Sequence, residues 1–347
     1  MDVGSLAGGQ FADADHLAHA LGPALQEQLH PRLGAIEWFR STWQRGGAAT
    51  GYSTWTDADE RTIDVVVKFP VSWPEFRWTK QLGTCPEGSW QECETEMMPT
   101  PRVAAAGHEL GSYDFAWFVV ERFRGHPLSS DLSGDGLRGL IEAAVEFQAR
   151  ASALAPVDAT PPGKDWARLI ERAQSKLDES GIEEAKRWKS ALKRVVKALP
   201  TLEAAWARRA CRDWCHGDMH PGNAMRRLGG DGEPLRWVLI DLGLVHAGHW
   251  VEDAVYLERL FWGHEDRLEG VDPVRDMAAA RRAAGLDSNG DHLTIADVRR
   301  VLMAACVPAF LEGEGWPSYV SAALDRLETL LPSLVGRLDR VGPTVAR

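Results

Sequence analysis

The chain has 347 residues, 44% apolar and 26% charged, with a formal net charge of −11. This suffices for two domains of ordinary globular composition, and the acidic balance argues against a nucleic-acid partner, whose phosphates require a basic surface. No apolar run reaches the roughly 20 residues of a membrane helix, residues 1–10 lack the basic start of a secretory signal, and the five cysteines are irregularly spaced, so free thiols, no membrane partner and a cytoplasmic location are expected.

Leu17, Leu21, Leu25 and Leu29 recur at helical spacing and predict an amphipathic helix over residues 12–30, closed by Pro31 and Gly34. Residues 36–43 are aromatic and β-branched and predict a strand. A Gly-rich stretch follows, Arg45-Gly46-Gly47-Ala-Ala-Thr50-Gly51. Residues 52–56 and 62–69 then flank the polar turn 57–61 as a hairpin. Residues 86–98 predict a short helix stopped by Pro99 and Pro101, and residues 102–106 and 115–120 two further strands. Beyond the connector 121–125 the pattern is helical at 136–154, at 164–210 and over most of 248–340, with a short apolar strand at 237–240. The order predicts an α+β protein, β-rich first and mainly helical afterwards, without internal repeats.

The chemistry concentrates in His216-Gly-Asp218-Met-His220-Pro-Gly-Asn223 and in Ile240-Asp241-Leu-Gly243, which begins just after residues 237–239. Kinases carry a loop of the form His-x-Asp-x-x-x-x-Asn and then an Asp-x-Gly, in that order. Asp218 is the candidate catalytic residue, a carboxylate able to accept the proton of an attacking hydroxyl. Asn223 and Asp241 would supply a neutral and an anionic oxygen to Mg2+, a hard ion that prefers such ligands. Pro221 and Gly222 would turn Asn223 back toward Asp218, and His216 would brace the catalytic loop through hydrogen bonds; His220 is assigned to loop packing. Lys68, at the end of an apolar strand, would neutralise the α- and β-phosphates of ATP. Its expected acidic partner is Glu94, chosen from Glu87, Glu92, Glu94 and Glu96 on the 86–98 helix. Backbone N–H groups around Gly46, Gly47 and Gly51 could cradle phosphate, and residues from Glu121 to Phe123 occupy the slot whose backbone would bond adenine.

Three other patterns are set aside. Cys211, Cys215 and His216 lie close together but lack a second pair at metal-finger spacing. Asp287-Ser-Asn289-Gly-Asp291 starts like a calcium loop, yet His292 and Val298 stand where Gly and Glu are needed; Thr294 and Asp297 fit a helix capping box instead. The many tryptophans read as core residues.

With these motifs in place, residues 36–265 resemble the aminoglycoside phosphotransferase family of small-molecule kinases. Gly217 stands where protein kinases generally carry Arg, no Ala-Pro-Glu segment follows Asp241, and Gly248-His-Trp-Val-Glu-Asp253 is similar to the family's segment after the magnesium Asp; Leu242 departs from the aromatic found there in many relatives. The resemblance implies a two-lobed, protein-kinase-like fold: an N-terminal helical extension (1–34), a nucleotide-binding N-lobe (35–122) and a C-lobe (123–347) whose helices line the acceptor pocket. It implies an ATP- and Mg2+-dependent phosphotransferase, with GTP open as donor, acting on a small-molecule hydroxyl. An aminoglycoside-like, cationic acceptor is the first expectation, with Glu258, Glu265, Asp266 and Glu269 to receive ammonium groups, and Asp253 would brace structure. The alternatives are a metabolic kinase for a sugar, choline-like amine, homoserine or macrolide, and a nucleotide-binding pseudokinase. The last would predict loss of Lys68, Asp218, Asn223 or Asp241, and all four are present.

Overall fold

The computed structural model describes residues 14–39, 48–84, 98–179, 182–228, 234–288 and 290–341. The chain divides into two compact units, residues 1–126 with 225–245, and residues 127–224 with 246–347.

In the first unit, helix α1 (Ala14–Gln28) is followed by strands β1 (Glu37–Phe39), β2 (Ala49–Thr56) and β3 (Thr62–Val71), helix α2 (Trp73–Gly83), and strands β4 (Val103–Leu110) and β5 (Tyr113–Glu121). The strands form one antiparallel sheet in the order β1-β2-β3-β5-β4. Strand alternation sets its two faces. Val65, Val67 and Phe69 are fully buried with Ala18, Leu21 and Leu25 of α1. The opposite face, with Phe118 and Val120, packs on Phe76 of α2. Lys68 falls out of phase with Val67 and Phe69 and so lies on the α2 face. The β2–β3 turn is held by Asp57, whose Oδ1 accepts the N–H groups of Asp59 at 2.9 Å and Arg61 at 3.0 Å.

Helix α1 is therefore part of the sheet unit and not a separate extension, and the unit boundary differs from the one expected at residue 122. Residues 225–245 also return to this unit. Their anchor is Arg227, which donates to Glu121 Oε2 at 2.8 Å and to the carbonyls of Met98 at 2.8 Å and Thr100 at 3.0 Å. Arg102 adds a second guanidinium, its Nε 3.3 Å from Glu121 Oε2. Burial would raise the Glu121 pKa, but Arg227 and then Arg102 outweigh it and hold the carboxyl below its ordinary range. Among the described residues strand β7 (Ala224–Leu228), which carries Arg227, pairs with β8 (Pro234–Leu239) in a two-stranded sheet.

The second unit is built on helices α3 (Gly134–Leu154), α4 (Trp166–Glu179), α5 (Ala185–Ala207), α6 (Val251–Arg259), α7 (Pro273–Ala283), α8 (His292–Cys306), the single turn α9 (Leu311–Glu314) and α10 (Pro317–Val341), with the small pair β6 (Asp213–Cys215) and β9 (His246–Gly248). The helix expected over 164–210 is two helices; Glu184, at φ +60°, precedes the second. Trp188 and Trp262 are buried in one core with Leu192, Leu302, Leu324 and Leu334, as expected of core tryptophans, whereas Trp73 and Trp316 are exposed. The expected capping box is not formed: α8 begins after Asp291, whose side chain makes no cap bond, and Asp297 pairs with Arg300 and Arg337. No described helix is long and apolar enough to cross a membrane.

Replacing Arg227 with Met would leave Glu121 with Arg102 alone and strip two buried carbonyls of their donor. Urea unfolding should show a loss of about 3 kcal/mol, the scale of breaking a buried ion pair by removing one partner.

Candidate active site

Lys68 and Asp241 meet in the first unit. Lys68 Nζ donates to Glu75 Oε1 at 2.6 Å and lies 3.8 Å from Asp241 Oδ1. Burial alone would depress the Lys68 pKa; Glu75 and Asp241 outweigh it and hold it above the usual lysine value, so the ammonium stays charged. Glu75 sits in the first turn of α2, whose N-cap Ser72 accepts the Glu75 N–H at 3.3 Å. A Cβ on Gly243 would lie 3.3 Å from Ser72 Oγ, so the Asp-x-Gly turn packs on the same cap. Asp241 itself is left-handed, at φ +62°, a conformation that Asp tolerates better than most residues. Its side chain is half-exposed, at 51%.

The expected partner Glu94, with the 86–98 helix, lies outside the described residues, and the acid that Lys68 meets is Glu75. Ser72-Trp73-Pro74-Glu75 was the available signal: a Ser N-cap, Pro early in the helix and Glu at the third position read as a helix start. Gly46 and Gly47 also lie outside the described residues. Gly51 does not belong to a phosphate loop. It pairs with Trp38 and Val67 inside the sheet, where a Cβ would come within 2.5 Å of Ile36 and 2.9 Å of Trp38; its smoothness serves packing. The Glu121 N–H donates to the Arg102 carbonyl at 2.8 Å, and its carboxylate meets Arg227 and Arg102. Phe123 lies 5.5 Å below the Arg227 guanidinium.

Asp218 and Asn223 are placed by the second unit. The chain leaves β6 at His216, and Asp253 of α6 accepts the N–H groups of His216 and Gly217 on its two oxygens, each at 2.9 Å. Both N–H groups can converge on one carboxylate because Gly217 takes φ +81°, a region that L side chains rarely adopt. Gln148 of α3 also donates to Asp253, at 3.3 Å, and accepts from Arg281 at 2.6 Å; Arg281 in turn reaches Asp213 at 2.9 Å. This buried network joins α3, α6, α7 and β6. His216 is fully buried and its Nδ1 accepts the Asp218 N–H at 3.3 Å.

The Asp218 carboxylate is engaged on both oxygens. Tyr256 donates to Oδ1 at 2.6 Å, and Asn223 Nδ2 donates to Oδ2 at 3.2 Å and to the Asp218 carbonyl at 3.0 Å. A single turn of 3-10 helix at Pro221–Asn223 brings the amide back, and with the Asn223 nitrogen facing Asp218 its oxygen is left as an acceptor. His220 accepts the Gly222 N–H on Nδ1 at 3.0 Å, which places its proton on Nε2, 3.5 Å from Asp218 Oδ2. The hydrogen bond from His220 works against burial and, with that from Tyr256, lowers the Asp218 pKa to about 2. Tyr256, desolvated and beside that anion, is pushed up to about 12. His220 thus does more than pack. Tyr256 was missed; it lies one helical turn after Asp253, the same face of α6, but that spacing is informative only once Asp253 is known to hold the loop.

A further expectation fails. Glu258 bonds Arg300 and the Trp262 indole, Glu265 bonds Arg326, and Glu269 caps α3 through the Gly134 N–H at 2.7 Å, so three of the four acids expected to receive ammonium groups are spent within the protein. Cys211, Cys215 and Cys306 are free thiols. The histidine that meets Cys215 is His246, not His216; these two and Glu252 place one ligand atom each within 4.8 Å of one another. Arg209 already holds Glu252 at 3.0 Å, the Cys215 thiol donates to the His249 carbonyl at 3.4 Å, and burial pushes its pKa up, which favours a bonded thiol over a thiolate ligand.

A carboxylate depressed in the folded state stabilises the fold above its unfolded pKa, ordinarily about 4, and that contribution is lost as pH falls through the folded value of about 2. Tyr256→Phe removes one donor and should raise the Asp218 pKa by roughly one unit, the scale of one charge-assisted hydrogen bond. Carboxyl-carbon NMR titration reads the shift directly; an unchanged Asp218 titration would deny Tyr256 its role.

The phosphotransferase enzyme family model matches residues 74–290. No curated protein matches the sequence. Among solved structures, an aminoglycoside phosphotransferase of Alicyclobacillus acidocaldarius is 15% identical, with 88% of this chain and 92% of that one covered and a TM-score of 0.48. A choline kinase of Streptococcus pneumoniae is 14% identical, with 90% and 99% covered and a TM-score of 0.47. A macrolide 2'-phosphotransferase of Brachybacterium faecium is 13% identical, with 90% and 98% covered and a TM-score of 0.45. The family match spans more than half of the chain and takes in Glu75, Asp218, Asn223, Asp241 and Asp253, and the chain belongs to the aminoglycoside phosphotransferase family of small-molecule kinases.

Proposed function

We propose that this phosphotransferase moves the γ-phosphoryl group of ATP, or of GTP, to a hydroxyl of a small molecule. The observation that carries the reading is the Asp218 carboxylate, ionised and aimed by Tyr256, Asn223 and His220 on a loop that Asp253 fixes. In the reaction the acceptor oxygen bonds the γ-phosphorus as the bond to the β,γ-bridging oxygen breaks, the nucleoside diphosphate leaves, and the hydroxyl proton passes to Asp218 and on to solvent. A base with a pKa of about 2 is a weak one. That suits a loose phosphoryl-transfer transition state, in which orienting the hydroxyl matters more than removing its proton early.

Lys68 supplies a positive charge for the nucleotide phosphates, and Glu75 keeps that charge in place. Asp241 and the Asn223 amide each offer an oxygen of the hard type that Mg2+ prefers, and the half-exposed Asp241 carboxylate is open to such an ion. The ion, when bound, neutralises phosphate charge. Phe123 remains a candidate for the adenine contact.

Asp218→Asn retains the size and most of the hydrogen bonds of the site but removes the proton acceptor. It should lower kcat by roughly a hundredfold or more, the contribution of a positioned base, while ATP still stabilises the variant in a thermal-shift titration; turnover at the wild-type rate would refute the assignment. Glu75→Gln should instead weaken nucleotide affinity by roughly tenfold, since Lys68 loses a charge-assisted bond of about 1.5–3 kcal/mol that fixes it, read as the KM for ATP.

A further inference from the structure

The second unit carries an excess of cations at a place where the chain as a whole is acidic. Arg299 of α8 lies between two indoles, 5.4 Å from the Trp166 ring and 5.1 Å from the Trp206 ring. Its Nε is buried without a hydrogen-bond partner. The same two indoles hold further cations. Lys164 Nζ sits 5.0 Å over Trp166, and Arg209 sits 4.0 Å over Trp206. Among the described residues Glu252 is the carboxylate that pairs with this group, bonded to Arg209 at 3.0 Å.

Three cations thus share two rings and one acid. Cation–π contacts on tryptophan are favourable but do not neutralise charge, and a buried guanidinium without a carboxylate is costly. The strain registers electrostatically. Burial, with Arg209 and Arg259 as repelling neighbours, lowers the Arg299 pKa despite Glu252. Desolvation, with Arg299 and Arg259, lowers that of Lys164. Arg300, the next residue of α8, shows the contrast: it lies on Glu258 with two bonds at 3.1 and 3.0 Å from Nε.

Arg259, whose charge acts on both Arg299 and Lys164, also reaches the reacting end. Arg259 stands 5.0 Å over the ring of Tyr256 and donates to the Tyr319 hydroxyl at 3.0 Å. Tyr256 is the residue that bonds Asp218 Oδ1. The phenol that bonds Asp218 thus has a guanidinium over its ring, while three of the four acids expected for an ammonium-bearing acceptor are already paired.

The geometry points to an anionic acceptor: a small alcohol that also carries a carboxylate or a phosphate, with that group received by Arg299 and Lys164 and its hydroxyl presented to Asp218. The inference rests on the phosphotransferase reading above and names the substrate class of that same site.

The test uses four small alcohols of similar size, glycerol 3-phosphate, glycerate, glycerol and ethanolamine, in thermal-shift titrations of the full chain at constant ionic strength with ADP and Mg2+ present. The ADP titration is run first. Absence of ADP stabilisation would count against the phosphotransferase reading itself, whereas ADP stabilisation without anion binding overturns only the inference. The expected result is stabilisation by glycerol 3-phosphate, glycerate or both, the two arms separating phosphate from carboxylate, and little by glycerol or ethanolamine. Arg299→Gln should raise the dissociation constant of the bound anion by about tenfold or more, as loss of a charge-assisted contact does. Lys164→Gln, ahead of α4, should raise it in the same direction and serves if Arg299→Gln does not fold. Arg138→Gln, an exposed arginine of α3, should leave it unchanged. Equal binding in wild type and in the folded Arg299 and Lys164 variants, ethanolamine binding tighter than either anion, or no anion binding at all would overturn the proposal.

Discussion

The Asp253 carboxylate is the point on which the second unit's chemistry depends. It takes two consecutive backbone N–H groups at 2.9 Å each, and a buried donor left unmet would cost about 1–3 kcal/mol. Holding both N–H groups requires the left-handed backbone at Gly217, and that backbone sets the direction in which Asp218 leaves the loop. The acid is itself fixed by Gln148, and Gln148 by Arg281. A buried polar network in which each member is satisfied is rigid as well as stable. The position of Asp218 is thus inherited from α3, α6 and α7 more than from its immediate neighbours.

The first unit solves a similar problem with a strand and a helix. Alternation along β3 puts Val67 and Phe69 on the α1 face and Lys68 on the α2 face, and the capped start of α2 delivers Glu75 to the ammonium. The same cap touches Gly243, so the lysine, its partner and the Asp241 turn share one local support. Where Glu75 holds Lys68, Arg227 and Arg102 hold Glu121, and the two ion pairs serve different ends. One keeps a charge available beside a half-exposed aspartate; the other fastens residues 225–245 to the sheet unit.

The parts of the site that were legible in the sequence are those whose roles lie in local spacing. Asp218, Asn223, His216 and Asp241 follow from short motifs, and the return of Asn223 toward Asp218 follows from Pro221 and Gly222. Lys68 was legible because a lysine ending an apolar strand is conspicuous. What could not be read are pairings across long separations. Tyr256 reaches Asp218 across 38 positions, and nothing in residues 216–223 asks for a phenol. Glu75 is hard to single out because four further acids, Glu87, Glu92, Glu94 and Glu96, stand nearer the next strand. Gly51 misled because glycine needed for close packing in a sheet looks the same, in sequence, as glycine needed for a phosphate turn. The fold class was legible throughout, since periodicity separates strands from helices; the grouping of α1 and residues 225–245 with the sheet was not, because it rests on tertiary burial and on one arginine.

Helix α6 gives five of its nine positions a separate task. Glu252 meets Arg209, Asp253 holds the loop at His216 and Gly217, Tyr256 meets Asp218, Glu258 meets Arg300, and Arg259 meets Tyr319. Adding or deleting one residue would rotate everything beyond it by about 100°. Such a change would separate the loop-holding acid from the phenol and the two later side chains in a single event. Substitutions can be compensated one at a time, whereas a change of length here cannot, so across diverging copies of this gene the nine residues of α6 should vary in identity long before they vary in number.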